Sequence, residues 1–262
     1  MNPISVNELT ESVNSNLPRD IKSTIAKNIL AEEKDSDIAK NIFSELINDL
    51  SSKTQREVVN ATGTVLHTNL GRSPNNISFP GSYTNIEYDL KTLSRGKRNE
   101  YLSVLMNNLI GSKDIAFVNN NASSLFLSLK AISKSHNIQN VIISRGEIIE
   151  IGGSYRLPEI INETDLNLVE IGTTNKTKLS DYRKALEKYP NSLILKVHRS
   201  NFSINGFTED VSIEELAELK NKFDVFLFHD LGSGLVIDKK FLEINNVSIF
   251  NDEPFVQDSL SN

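Results

Sequence analysis

The sequence predicts an α/β domain, a mostly parallel sheet with helices on both faces, preceded by a small helical module. Three observations carry this expectation. Beyond about residue 54, short β-branched or aliphatic runs alternate with helical stretches; residues 37–50 repeat their apolar positions at helical spacing; and the apolar runs close on polar residues. The alternation places strands at 115–118, 141–144, 168–171, 193–197 and 225–228, with helices at 101–110, 123–134, 180–189 and 213–222. In such sheets ligands bind beyond the carboxyl ends of the strands. The polar strand ends are therefore the first place to look for chemistry.

In the N-terminal module, Ile38, Ile42, Leu46 and Leu50 recur at i+4 with Phe43 and Ile47 beside them, which predicts an amphipathic helix. Pro18 marks the break between two shorter helices ahead of it. Residues 1–53 are taken as the helical module, the polar stretch 51–55 as a linker, and residues 54–262 as the large domain, incomplete at its C-terminal end.

Composition narrows the classes. The chain has 262 residues, 38% hydrophobic and 24% charged, with a net charge of −6, which speaks against a generic nucleic-acid coat. It has no apolar run near ~20 residues and no basic, apolar leader at its start, so a cytoplasmic location without a membrane partner is expected. With no cysteine and only four scattered histidines, thiolate metal sites and cysteine nucleophiles are excluded. Any difficult chemistry needs a borrowed cofactor.

Several strings carry candidate chemistry. Asn119-Asn120-Asn121-Ala122-Ser123 follows a predicted strand and opens a predicted helix, so its amides either cradle a phosphate or simply form a turn and cap. Asp230, at a strand end before Leu231-Gly232-Ser233-Gly234, is either a partner for a protonated pyridine nitrogen or a loop cap. Arg72 is an anion clamp or a surface arginine, and His198, in Lys196-Val197-His198-Arg199-Ser200-Asn201, touches a cofactor ring or is structural. Arg145 and Glu147 are a site pair or a surface ion pair. Lys91, Arg95, Lys97 and Arg98 form a local basic patch.

In order along the chain, Asn60-Ala61-Thr62-Gly63-Thr64-Val65-Leu66-His67-Thr68-Asn69-Leu70-Gly71-Arg72, Asn119-Asn120-Asn121-Ala122, Ser144-Arg145-Gly146-Glu147, Glu150-Ile151-Gly152-Gly153-Ser154, Val169-Glu170-Ile171-Gly172-Thr173-Thr174-Asn175, Leu195-Lys196-Val197-His198, Gly206-Phe207-Thr208 and Asp230-Leu231-Gly232-Ser233-Gly234 resemble the bacterial L-seryl-tRNA(Sec) selenium transferases, the selenocysteine synthases. The resemblance runs from about Val58 to Gly234. It implies a fold-type-I transferase that uses pyridoxal 5'-phosphate (PLP), eliminates water from serine esterified to its tRNA through an aminoacrylyl intermediate, and adds selenium from selenophosphate.

The same resemblance implies roles for single residues. Asn120, Asn121, Ala122 and Ser123 would hold the cofactor phosphate, Asp230 the ring nitrogen, Ser200 or Asn201 the ring hydroxyl, and Arg145 and His198 would lie near the cofactor. Arg72 would hold the anionic selenium donor, and Lys91, Arg95, Lys97 and Arg98 would meet phosphate of donor or tRNA. Homo-oligomers with sites between subunits, and a tRNA-contacting N-terminal module, are implied as well. Residues 1–56 hold seven Lys or Arg against nine Asp or Glu, a net of −2, so that module alone is expected to grip tRNA weakly.

Two departures from the family pattern stand out. Tyr101 occupies a position where family members commonly show histidine, and the family's serine-glycine-aspartate-lysine string with the Schiff-base lysine does not occur here. Lys239 and Lys240 follow Asp230 too closely for the roughly dozen-residue crossover to a neighbouring parallel strand. The chain is accordingly expected to be a truncated member, inactive alone. A related PLP-dependent lyase on a small amino or sugar acid, and a non-enzymatic tRNA-binding or assembly fragment, are the alternatives; the N-terminal module and the Thr68–Arg72 string favour the transferase.

Overall fold

The fold is taken from a computed structural model that describes residues 4–52, 57–64, 66–74, 78, 81–112, 114–151, 155–237, 239–245 and 253–261. Residues 53–55 of the expected linker, Val65, and Gly152, Gly153 and Ser154 of the quoted strings lie outside them. The chain divides into two compact units, residues 1–82 and 83–262.

In the first unit, α1 (Val6–Glu11), α2 (Arg19–Glu32) and α3 (Ser36–Ser51) bury Leu9, Ala26, Phe43 and Ile47 against one another. Ser5 and Glu8 form a capping box on α1, Pro18 stands at the N-cap of α2, and Asp35 accepts from the amides of Asp37 and Ile38 to start α3. Helix α3 is apolar over a wider arc than its partners cover. Phe43 and Ile47 are buried, whereas Ile38, Ile42, Leu46 and Leu50 stay exposed. Farther on, a 3-10 turn at Thr68–Leu70 ends at Gly71, and the amide of Arg72 returns to the carbonyl of His67 at 3.0 Å.

The second unit begins with a hairpin of β1 (Tyr88–Asp89) and β2 (Ser94–Arg95), then α4 (Glu100–Ile110), α5 (Asn121–His136) and β3 (Asn140–Ser144). A second hairpin, β4 (Glu150–Ile151) with β5 (Tyr155–Arg156), leads into α6 (Leu157–Asn162) and β6 (Asn167–Ile171). Then come α7 (Leu179–Lys188), β7 (Ser192–Val197), α8 (Ile213–Phe223), β8 (Phe226–Asp230), α9 (Lys239–Ile244) and α10 (Val256–Ser261).

Four strands form the main sheet in the order β6-β3-β7-β8, all parallel. Their side chains alternate between two cores. Leu193, Leu195 and Val197 of β7 join Leu125 and Leu129 of α5 on one face, while Ile194 meets Tyr182 of α7 and Leu216 of α8 on the other. Helices on both faces of a parallel sheet were the expected class.

The expected strand at 115–118 is not formed. Among the described residues no strand pairs with that run, and Phe117 and Val118 remain exposed. Strand propensity alone does not satisfy the backbone N–H and C=O groups of such a run; that takes a ladder partner. No helix among the described residues is long and apolar enough to cross a membrane.

Candidate active site

Parallel pairing brings the carboxyl ends of β3, β7 and β8 to one edge of the sheet. Asp230 ends β8 on the same side of the strand as Phe228, which packs in the α5 core, so its carboxylate faces the start of α5. There Asn121 donates its side-chain amide to Asp230 Oδ1 at 2.7 Å, linking residues 109 positions apart. The backbone N–H of Gly232 donates to the same oxygen at 3.0 Å.

The turn before α5 is shaped by its own side chain. Asn120 accepts from the amide of Ser123 at 2.8 Å, and its carbonyl accepts from Ser124, so α5 starts cleanly at Asn121. The backbone amides of Asn121 and Ala122 have no acceptor among the described residues. They sit at the positive end of a 16-residue helix. Between this terminus and the end of β8 lies a cleft of about 140 Å³, lined by Asn121, Ser124, Leu125, Phe228, His229, Asp230, Leu231 and Gly232.

Asp230 is only 7% exposed, yet it makes no ion pair among the described residues. A buried carboxylate without a counter-cation fits a protonated ring nitrogen, and free amides at a helix N-terminus fit a phosphate. The residues present thus suit the two ends of pyridoxal 5'-phosphate. A further polar group lies nearby: the Tyr155 hydroxyl is buried and without a partner among the described residues, and burial, with Asp230's charge adding to it, pushes its pKa up to about 12.

The loops after β7 and β8 lie together. The amide of His198 donates to the carbonyl of Asp230 at 2.9 Å, and Ser200 Oγ would lie 2.9 Å from a Cβ placed on Gly232. The His198 ring sits 3.5 Å from Glu253, which also accepts from Ser233 Oγ at 2.5 Å. Asn201 is exposed. His229 points to the other face, with its Nδ1 3.0 Å from Ser259 Oγ; burial, then Lys196 and His198, hold its pKa down at about 4.

The pairing expected between Arg145 and Glu147 is replaced by two longer-range pairs. Arg145 bonds Glu170 Oε2 at 3.1 Å, and both side chains are largely exposed. Glu147, 2% exposed, accepts from Lys196 Nζ at 2.5 Å and from the amide of Val197 at 2.9 Å. The 3-10 turn at Arg145–Glu147 gives the reason, because it sends Glu147 inward and leaves Arg145 outside beside β6. Burial raises the Glu147 pKa, and Lys196 acts against that rise. The sequence pointed to a carboxylate here but not to its partner, and nothing local in it points to Tyr155.

In the hairpin ahead of α4, Glu87 binds Arg98 at 2.6 Å and Arg95 at 3.6 Å. Lys91 and Lys97 form no ion pair among the described residues. Arg72 belongs to the first unit and carries a positive φ of 64° immediately after Gly71. No group of His, Asp and Glu suited to a metal ion occurs among the described residues.

The family model for L-seryl-tRNA selenium transferases, SelA, matches residues 58–262. Among curated proteins, the L-seryl-tRNA(Sec) selenium transferase of Aliarcobacter butzleri is 39% identical, covering 92% of this chain and 55% of its own length. The Aquifex aeolicus protein of the same name is 41% identical over 82% of this chain and 47% of its own, and the Sulfurimonas denitrificans protein 36% over 88% and 52%. The chain therefore spans about half the length of the curated relatives it matches. A solved D-glucosaminate-6-phosphate ammonia-lyase superposes at a TM-score of 0.43 with 14% identity, covering 50% of this chain and 37% of the other.

Proposed function

Because the chain belongs to the L-seryl-tRNA selenium transferase family, we propose that it serves the conversion of L-seryl-tRNA(Sec) to L-selenocysteinyl-tRNA(Sec), with selenophosphate as donor and pyridoxal 5'-phosphate as cofactor. The observation that carries this reading is Asp230, buried without a cation among the described residues and bonded to the residue that opens α5. When bound, the cofactor supplies an electron sink for loss of the serine hydroxyl and addition of selenium.

The chain's own residues hold and orient. The amides of Asn121 and Ala122 and the hydroxyl of Ser123 take the phosphate, with Asn120 fixing the turn that aims them. Asp230 keeps a proton on the ring nitrogen through its second oxygen, or through Oδ1 if the Asn121 amide swings away. Ser200 or Asn201 would hold the ring hydroxyl, and His198 would touch the ring. Arg145 supports the rim of the site from its pair with Glu170.

Arg72 takes the anionic donor as a bidentate clamp, and Lys91, Arg95, Lys97 and Arg98 meet donor or tRNA phosphate. The helical module of residues 1–53 contacts the tRNA body. Leu105 and Leu109 stand exposed along α4, which supports assembly into a homo-oligomer, and the setting is cytoplasmic.

The test combines the chain with seryl-tRNA, selenophosphate, pyridoxal 5'-phosphate and a polypeptide matching the remaining half of the Aliarcobacter butzleri relative. Selenocysteinyl-tRNA should form. No product, under conditions where that relative works at full length, would overturn the reading.

A further inference from the structure

The hairpin and helix ahead of the main sheet enclose a cleft of about 740 Å³ between residues 84 and 104, larger than the one at Asp230. Its walls are prearranged. Asp89 closes the hairpin turn by accepting from the amide of Lys91 at 2.7 Å and from Thr92 Oγ1 at 2.9 Å. Gly96 lies so close to the opposite strand that a Cβ would come within 3.3 Å of the Asp89 nitrogen. Glu87 ties the hairpin to the start of α4 through Arg98.

Two tyrosines line this cleft with their rings open to solvent: Tyr88 on β1, and Tyr101 at the start of α4, which is 74% exposed. Ile86 and Leu90 add apolar wall, and Lys91 and Lys97 bring cations free of ion pairs among the described residues. Exposed aromatic faces beside unpaired cations suit unpaired nucleotides, whose bases stack while their phosphates are neutralised. An apolar protein partner would have to bury the two ammonium groups, and a small anion would leave the tyrosines unused.

We propose that this cleft holds the unpaired 3' end of the tRNA, with a base stacked on Tyr101, the more exposed of the two rings, and the adjoining phosphates on Lys91 and Lys97. The proposal rests on the seryl-tRNA reading above. It adds a stacking site for single-stranded RNA beside the phosphate contacts already assigned to the basic loop.

The experiment uses the whole chain and two labelled RNA hairpins, one with a four-nucleotide 3' overhang and one trimmed flush, with binding followed by fluorescence anisotropy. The wild type should prefer the overhang by roughly tenfold or more, as expected for one or two stacked bases. Tyr101→Phe should keep that preference, whereas Tyr101→Leu, which fills the volume without a π face, and the double variant Tyr88→Ala/Tyr101→Ala should lose most of it. Lys97→Gln should lower the salt slope by about 0.7, one phosphate on a single strand. Far-UV circular dichroism checks that each variant is folded. Equal affinity for both hairpins, or a preference that survives in both Tyr101→Leu and the double alanine variant, overturns the stacking site while leaving the tRNA reading in place. Binding to neither hairpin overturns both.

Discussion

Glu147 and Lys196 form a buried pair whose removal should be costly in a specific way. The Glu147 carboxylate accepts from Lys196 Nζ at 2.5 Å and from the Val197 amide at 2.9 Å, and it is 2% exposed while the Lys196 side chain keeps 15%. Glu147→Ala leaves an ammonium and a backbone N–H buried without acceptors, a loss of about 3 kcal/mol, the lower end of the range for breaking a buried pair because Lys196 still reaches some water. Glu147→Gln keeps an acceptor for Val197 and should lose about 2 kcal/mol. In Glu147→Gln/Lys196→Met neither charge remains, so the double variant should be more stable than the sum of the single losses by about 1.5 kcal/mol or more. Urea unfolding followed by far-UV circular dichroism reads these values, since the chain has no tryptophan. A Glu147→Ala loss under about 1 kcal/mol, or strict additivity in the double variant, would refute the idea that this pair pins the end of β7 to the turn after β3.

Two further expectations follow from buried contacts. His229 is held down at about 4, so between its ordinary value near ~6.5 and about 4 the unfolded chain takes up a proton that the folded chain does not. Its stabilising contribution is therefore present above that window and lost as pH falls through it; the urea midpoint should drop less between pH 7 and pH 5 in His229→Gln than in the wild type, and an equal drop would exclude His229 as the source. Glycine is required at 172, where φ is +67° and a Cβ would lie 2.2 Å from Thr177 Oγ1, so Gly172→Ala should cost roughly 3 kcal/mol or more in a thermal melt. By contrast Gly111→Ala, at φ +73° in open space, should cost only about 1 kcal/mol; equal losses would contradict the close approach at 172.

Much of the fold could be read from the sequence because its strands are short, apolar and flanked by helical periodicity. The run at β3 is buried along its whole length, as a central parallel strand requires, and the expected helix boundaries at α5, α7 and α8 lie within two residues of those found. The run at 115–118 reads the same way locally but has no strand beside it among the described residues, since pairing is a property of neighbours that composition does not carry. The hairpins β1–β2 and β4–β5 went unread because each has two-residue strands, too short for alternation to show. At the site, the strings around Asn120 and Asp230 read as turn and cap chemistry, and the structure brings the two segments together through the Asn121–Asp230 bond. The Asn121–Asp230 bond and the Glu147–Lys196 pair span 109 and 49 positions, and local patterns do not reach so far. Side alternation sends Asp230 toward α5 and His229 to the opposite face, a division visible in the sequence once the strand register is known.

The most direct test reads the protonation state of the ring whose nitrogen Asp230 is proposed to hold. Pyridoxal 5'-phosphate labelled with nitrogen-15 in the ring is added to the chain at neutral pH, and its nitrogen shift is recorded for the wild type and for Asp230→Ala, each checked for folding. The bound ring should show a pyridinium shift in the wild type and a neutral pyridine shift in the variant. A neutral ring on the wild type, or a protonated one on both, would contradict the role given to Asp230.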